Sequence, residues 1–429
     1  MASYKFLRPE LMVAASGWLS RGVIAVSQLL LMREMLDYLG VSDYALYAVF
    51  VSLYAWMALA DVGVGTAYQN LLAARYGMGE AGELENSKLG GLLVLVLVVN
   101  VALWPIASTC LSLAVYGKSG FASNNLVVAA TFCAIGQMTA IFSTVYKIFY
   151  AERRGYYANI FPAAASVLTV LLVYSVQAFA LPNASLLSAI LITYLPLLIV
   201  CVPIFFAKVG ARASFDLTWC AALLKVSLRM MLFSLLSLIT LGLDVLIVSL
   251  FLEANEVVEY NLVLRVSALA IFFYSAYLLA MMPITTQMMR QGQHVELWLR
   301  LRSGMGWAAI AGAIFFGAFG VTRGLVSELL TEGKVSIAAF GVFAFFAYFM
   351  MRVWVDTFAM ALQSINRVNG LIVCVAVQAL LSVACQLVFI DILGVYGAIL
   401  GVIFSFAVTV AWFLPFQLRQ QVRAEVEIP

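Results

Sequence analysis

The chain has 429 residues, of which 65% are hydrophobic and only 10% charged, with a mean hydropathy of +1.04. That composition excludes a soluble domain and describes an all-α polytopic membrane protein, because in lipid a helix satisfies its own backbone. The net charge of +3 excludes a general attraction to nucleic acid, and six cysteines scattered without a CxxC, beside one histidine, argue against a disulfide framework or a metal site.

The first apolar run, Leu11 to Met32, is long enough to cross a bilayer and holds one charge, Arg21. At about 1.5 Å per residue that guanidinium lies roughly 15 Å from either end of the run. An arginine at that depth costs about 2.5–3.5 kcal/mol on the lenient insertion scale. Helical spacing places Gly17, Ser20, Arg21, Ser27 and Gln28 on one face, opposite Leu, Val, Ile and Ala. Such a face suits a wet cavity; the alternative is a structural arginine paired inside a helix bundle. The run is too long for a signal-peptide core and lacks a small-residue cleavage pattern, so it is expected to be a retained span.

Eleven further apolar spans follow, at roughly 42–67, 89–114, 125–149, 158–180, 184–207, 222–251, 257–283, 303–322, 336–361, 370–390 and 394–416. With the N-terminus cytoplasmic, sixteen basic residues fall on the cytoplasmic side against four outside (Arg33, Lys118, Arg323 and Lys334), and four arginines fall within spans. This bias puts both termini in the cytoplasm. Loops are short, which leaves no room for a soluble catalytic domain. The sequon at Asn183 lies in a tight turn and reads as accidental, and Gly397 with Gly401 reads as close helix packing. A shift of 216 residues lays Gln28 on Asp244, Asp37 on Glu253, Asp43 on Glu259 and Tyr44 on Tyr260. Two parallel six-helix lobes are therefore expected, 1–208 and 222–429, joined by a cytoplasmic linker at 209–221, with substrate between them.

Intramembrane polar groups are the candidates for function, because lipid penalises idle ones. Lys147 closes the fourth span. In the seventh, Ser234, Ser237, Thr240 and Asp244 form a polar stripe. In the eighth, Asn261 stands one turn before Arg265. Arg352 and Asp356 are one turn apart in the tenth, and Gln378, Ser382 and Cys385 share a face of the eleventh. Asp61 ends the second span in Asp61-Val62-Gly63-Val64-Gly65. Each has a plainer alternative: Arg352 with Asp356 as a closed packing pair, Asp61 as a cap on backbone amides, Lys225 and Arg229 as side chains reaching the surface. Arg265 has no acid within one turn. Arg21, Arg265 and Arg352 come from separate spans, so if they converge the cavity is cationic and its ligand anionic. The planar fork of arginine suits phosphate. No P-loop occurs, so the chain does not draw energy from nucleotide hydrolysis, and no cofactor is expected.

Several stretches carry a family likeness: Leu39-Gly40-Val41-Ser42-Asp43-Tyr44-Ala45-Leu46-Tyr47, Trp56–Asn70 (WMALADVGVGTAYQN), Asp244-Val245-Leu246-Ile247 ahead of Glu256-Val257-Val258-Glu259-Tyr260-Asn261, and Trp354-Val355-Asp356-Thr357 leading to Ser364-Ile365-Asn366. In these the chain resembles the Wzx-type O-antigen flippases of bacteria, in the superfamily that also holds the multidrug extruders and the lipid II flippase. The resemblance implies two lobes around a central cationic cavity in the inner membrane. It also implies passage of an undecaprenyl-diphosphate-linked oligosaccharide from the cytoplasmic to the periplasmic leaflet by alternating access. Arg21, Arg265, Arg352 and Lys147 would meet the anionic substrate, with Gln28, Asn261 and Gln378 as polar lining. Coupling to H+ or Na+ would fall to Asp244, then Asp356 and Asp61, and glycan polymerase machinery is an expected associate.

Two other readings stand beside it. A cation-coupled drug or metabolite extruder of the same superfamily would want an acidic cavity, whereas the excess here is basic. A membrane-embedded glycan polymerase or acyltransferase would want a large outer loop with catalytic residues. His294 falls in a cytoplasmic loop and reads as solvated, so no enzyme activity is expected.

Overall fold

In a computed structural model the chain is a set of long helices, with no strand among the described residues. The structure describes residues 9–77, 83–117, 120, 122–152, 154–178, 185–210, 214–290, 292–364 and 369–426. Of the residues used above, Lys118, Asn183, Ile365 and Asn366 lie outside them. Among the described residues, ten helical stretches are long and apolar enough to cross a membrane. Two of these are double: Ser16–Asp61 has 46 residues and Val373–Val422 has 50. Each exceeds twice the roughly 30 Å of a hydrocarbon core at about 1.5 Å per residue. The first is broken at Gly40 (φ 74°, ψ 172°) and the second at Gly394 (φ 65°). Counting each double stretch as two accounts for the twelve expected spans. No separate loop divides the first pair, where the sequence suggested one near residues 33–41.

The helices form two compact units, Met1–Leu235 and Leu236–Pro429. The first holds α1 (Pro9–Met57), a 3-10 turn (Ala58–Asp61), α2 (Val64–Gly77), α3 (Glu83–Tyr116), α4 (Ser123–Phe142), α5 (Thr144–Ala151), α6 (Gly155–Ala178), α7 (Leu186–Val209) and most of α8 (Leu217–Leu241). Its core at one end packs Val64, Tyr68 and Leu72 of α2 against Leu89 and Leu92 of α3, Val145 and Ile148 of α5, and Leu223 of α8. Deeper in, Tyr54 stacks on Tyr194 with ring centroids 4.2 Å apart, and both rings meet Phe132 edge-on.

The division between the units falls inside α8. Just ahead of α8, Ser214 and Asp216 are docked onto α3. Ser214 donates its amide to Ser87, Lys88 pairs with Asp216 at 2.9 Å, and a Cβ on Gly91 would lie 2.2 Å from the Ser214 carbonyl. Asp216, outside the membrane spans, is held well below the usual carboxylate range. Its hydrogen bond from Lys88 is the largest cause, followed by those from the Thr218 hydroxyl and the Trp219 amide.

The second unit holds the end of α8, α9 (Asp244–Phe251), α10 (Ala254–Arg290), α11 (His294–Thr331), α12 (Ala339–Ser364), α13 (Asn369–Leu393), α14 (Gly397–Val408) and α15 (Val410–Val426). α13 and α14 touch backbone to backbone. A Cβ on Gly397 would lie 2.1 Å from the Phe389 carbonyl, and one on Gly401 2.6 Å from the Gln386 nitrogen. The GxxxG is therefore a packing motif. Tyr260 and Tyr44, which the internal repeat equates, are both fully buried in their own units, each after a helix break.

Candidate functional site

In the first unit Arg21 is half-buried on α1, within electrostatic reach of the Tyr150 hydroxyl, and has no carboxylate partner among the described residues. Its neighbours correct the sequence reading. Ser20 donates to the Asn159 carbonyl at 2.6 Å, Ser27 accepts from Ser166 at 3.4 Å, and a Cβ on Gly17 would lie 3.4 Å from the Asn159 amide. Gly17, Ser20 and Ser27 thus form the seam between α1 and α6 rather than a cavity wall. Small residues let the two backbones approach, and the hydroxyls join them. Asn159 also accepts from Tyr150 at 2.6 Å and donates to Ser16 at 3.1 Å, which fixes the ring beside Arg21. Gln28, one heptad further along α1, is exposed.

Asp61 takes the capping role. Its two oxygens accept the amides of Gly63 (2.7 Å) and Gly65 (3.1 Å), across a chain reversal where Val62 (φ 54°) and Gly63 (φ 73°) are both left-handed. A Cβ on Gly63 would lie 2.4 Å from the Ser227 carbonyl, so glycine is needed there twice over, for the dihedral and for the approach of α8. Lys147 lies alongside: its stem packs beside Gly65 and its charge acts on Asp61. Nothing in the sequence joined these two residues, which come from different spans.

In the second unit Asp244, 8% exposed, heads α9 and accepts from the Tyr260 hydroxyl at 2.7 Å. No cation pairs with it among the described residues. Arg265 donates Nε to Asn261 at 2.8 Å, which is the one-turn spacing read from the sequence. Arg352 closes on Asp356 at 2.9 Å, lies over the Tyr348 ring and donates to its hydroxyl at 3.1 Å. The charge of Arg352 is therefore matched within α12. Tyr348 is also within electrostatic reach of Asp244, so a polar thread runs from Asp244 and Tyr260 through Tyr348 to Arg352 and Asp356. Tyr260 and Tyr348 were missed as polar partners. The four-residue step from Tyr348 to Arg352 was visible in sequence, but the sixteen from Asp244 to Tyr260 were not. Gln378 is buried on α13 one turn before Ser382, whose hydroxyl donates to the Thr240 carbonyl of α8 at 3.4 Å and accepts from Gln386 at 3.0 Å.

Among the described residues no group of histidine, cysteine or carboxylate side chains could hold a metal ion. The chain offers instead buried carboxylates and guanidinium groups embedded in two helical units.

No family model matches the chain. It is 30% identical over 423 residues to an O-antigen transporter of Salmonella typhi, with 95% of each chain covered. It is 27% identical over 439 residues to an O-antigen export protein of Yersinia pseudotuberculosis, with 96% of each covered. Among solved structures it is similar to an inward-facing multidrug resistance MATE family transporter of the MOP superfamily (TM-score 0.74, 14% identity, 94% of this chain and 95% of that one). It is also similar to the lipid II flippase MurJ in an inward closed conformation (TM-score 0.69, 12% identity, 96% and 89%). At those identities the structural likeness establishes the fold.

Proposed function

The chain belongs to the O-antigen transporter family, and on that premise we propose that it moves a glycan repeat unit, linked to undecaprenyl diphosphate, from the cytoplasmic to the periplasmic leaflet of the inner membrane by alternating access. It is a multi-pass membrane transporter and not an enzyme. The observation that carries the substrate reading is Arg21, a half-buried guanidinium in the middle of a span with no carboxylate beside it among the described residues. An uncompensated cation at that depth is costly unless an anion visits it. Arg265 and Lys147 are assigned to the same substrate. Arg352, already closed on Asp356, is assigned a secondary part. Gln28, Asn261 and Gln378 would supply polar lining, and the glycan would be handed to polymerase machinery outside.

The energetics support this direction. Each diphosphate charge leaving a negative-inside cell gains about 2.3 kcal/mol per 100 mV, so the protein's task is to lower the dehydration barrier. A cationic site does so if it holds the diphosphate firmly enough to enter and weakly enough to leave. For coupling, Asp244 is the first candidate. Asp356 is matched by Arg352 and Asp61 by two amides, while Asp244 has a tyrosine hydroxyl and helix amides for company. A carboxyl without a cation is the group whose charge a proton or Na+ would cancel. If transport by Asp244→Asn keeps its full ion dependence, that assignment is wrong.

The reading as a whole is tested by complementation of a strain lacking its own O-antigen flippase. Wild-type protein restores surface glycan. Arg21→Ala and Arg265→Ala each lower it at least tenfold at equal membrane abundance. Normal glycan from both variants would overturn the cationic-site reading, and none from wild type would overturn the substrate. Reporter fusions at both ends are expected to report cytoplasmic termini.

A further inference from the structure

A second site, lined by none of these residues, lies within the second unit. Helices α11, α12 and α15 enclose a cleft of about 680 Å³, lined by Trp298 and Arg302 of α11, Trp354 of α12, and Trp412, Phe416 and Arg419 of α15. Its walls are fixed: Trp354 donates its indole N–H to the Ala411 carbonyl at 2.8 Å, and Arg419 lies over the Trp298 ring with its guanidinium carbon 5.7 Å from the centroid. Its outer lip is open, with Trp412 75% and Phe416 59% exposed.

The cleft is charged at one end only, by Arg302 and Arg419. Arg302 is eight residues from the start of α11 and Arg419 seven from the end of α15. These antiparallel offsets put both guanidinium groups about 10–12 Å in from the same face. Trp412, seven residues further along α15 from Arg419, lies about 10 Å deeper. Neither arginine has a carboxylate partner among the described residues, whereas Arg300 on the same helix is paired with Glu296 at 2.9 Å. A pair of uncompensated cations above an aromatic floor complements a molecule with one anionic end and an apolar remainder. Trp residues at both levels suit the zone where headgroups give way to chains.

We propose that this cleft is a binding site for an anionic phosphoglyceride of the surrounding bilayer, with its phosphate at Arg302 and Arg419 and its acyl chains over Trp412 and Phe416. The occupant is drawn from the bilayer because the lip faces outward and the charge is that of a leaflet lipid. The inference is independent of the transported substrate and needs only that the chain is embedded in a membrane.

The test uses the full chain, purified and offered phosphatidylglycerol or phosphatidylcholine at equal concentration, with retained lipid read by native mass spectrometry. Retention of phosphatidylglycerol about 25-fold over phosphatidylcholine is expected, since each of the two basic residues near the lipid phosphate contributes roughly fivefold. Arg302→Gln with Arg419→Gln should abolish the preference. Arg302→Lys with Arg419→Lys should retain most of it, and Arg300→Gln should leave it unchanged. Equal retention of both lipids by wild type, or a preference that survives the double Gln variant, overturns the proposal. Displacement of phosphatidylglycerol by equimolar undecaprenyl phosphate would also overturn it, by making the cleft an entry point for the carrier.

Discussion

At the level of single residues, spacing along one helix was legible and pairing across helices was not. Arg352 with Asp356 and Arg265 with Asn261 are each one turn apart, and both form as the sequence offered. Ser20 and Ser27 fell on the right face of α1, but what that face meets was set by α6, 139 residues away. Asp61 shows why a carboxylate in an apolar chain need not be chemical, since it holds a left-handed reversal through two amides. Asp61→Ala should lower thermal stability in detergent by about 1–2 kcal/mol, as lost caps do. Asp61→Asn should lose less and should keep transport; a loss of transport by Asp61→Asn at unchanged stability would show a role beyond capping. For Arg352, removal of one partner leaves a charge in a mostly buried place. Arg352→Leu should cost about 3 kcal/mol, and adding Asp356→Leu should recover most of it. A double-mutant cycle in thermal unfolding reads both, and additive losses would show that the pair is not coupled.

Among the elements, apolar runs predicted the helices well because lipid leaves the backbone no other solution. Their breaks were less legible. Gly40 interrupts one continuous helix, so the loop expected near it is a single residue with a positive φ. The glycine pair of α14 was read correctly because small residues four apart have one common use in membranes. Gly401→Val pushes a side chain into the backbone of Gln386, which has no rotamer to escape with, and should destabilise by about 1–3 kcal/mol. Thermal unfolding of the purified variant checks this; a wild-type melting temperature would mean that α13 can yield. The link between Lys88 and Asp216 carries a pH signature. The folded pKa of Asp216 lies below its unfolded value, so the stabilisation is present above the unfolded range near 4 and is lost as pH falls through the folded pKa. Hydrogen exchange at the Trp219 amide should stay slow from about pH 5 upward and quicken in Asp216→Asn. Equal exchange in both proteins would show that the carboxylate does not hold the start of α8.

For the whole molecule, the two tyrosines that the repeat at 216 residues equates, Tyr44 and Tyr260, are both completely enclosed. In the second unit the repeat position opposite Gln28 is a carboxylate, Asp244, which pairs with Tyr260. Charge bias along the chain predicts sidedness. The most consequential feature at this scale is α8. Its early residues are clamped against Gly63 and, through Asp216, against α3. Its last turn receives Ser382 at the Thr240 carbonyl. One rod thus carries the approach of Gly63 along its first half and a hydroxyl from α13 at its end. A pair of spin labels set along α8 on either side of Leu235 would act as a strain gauge for that rod in the working protein.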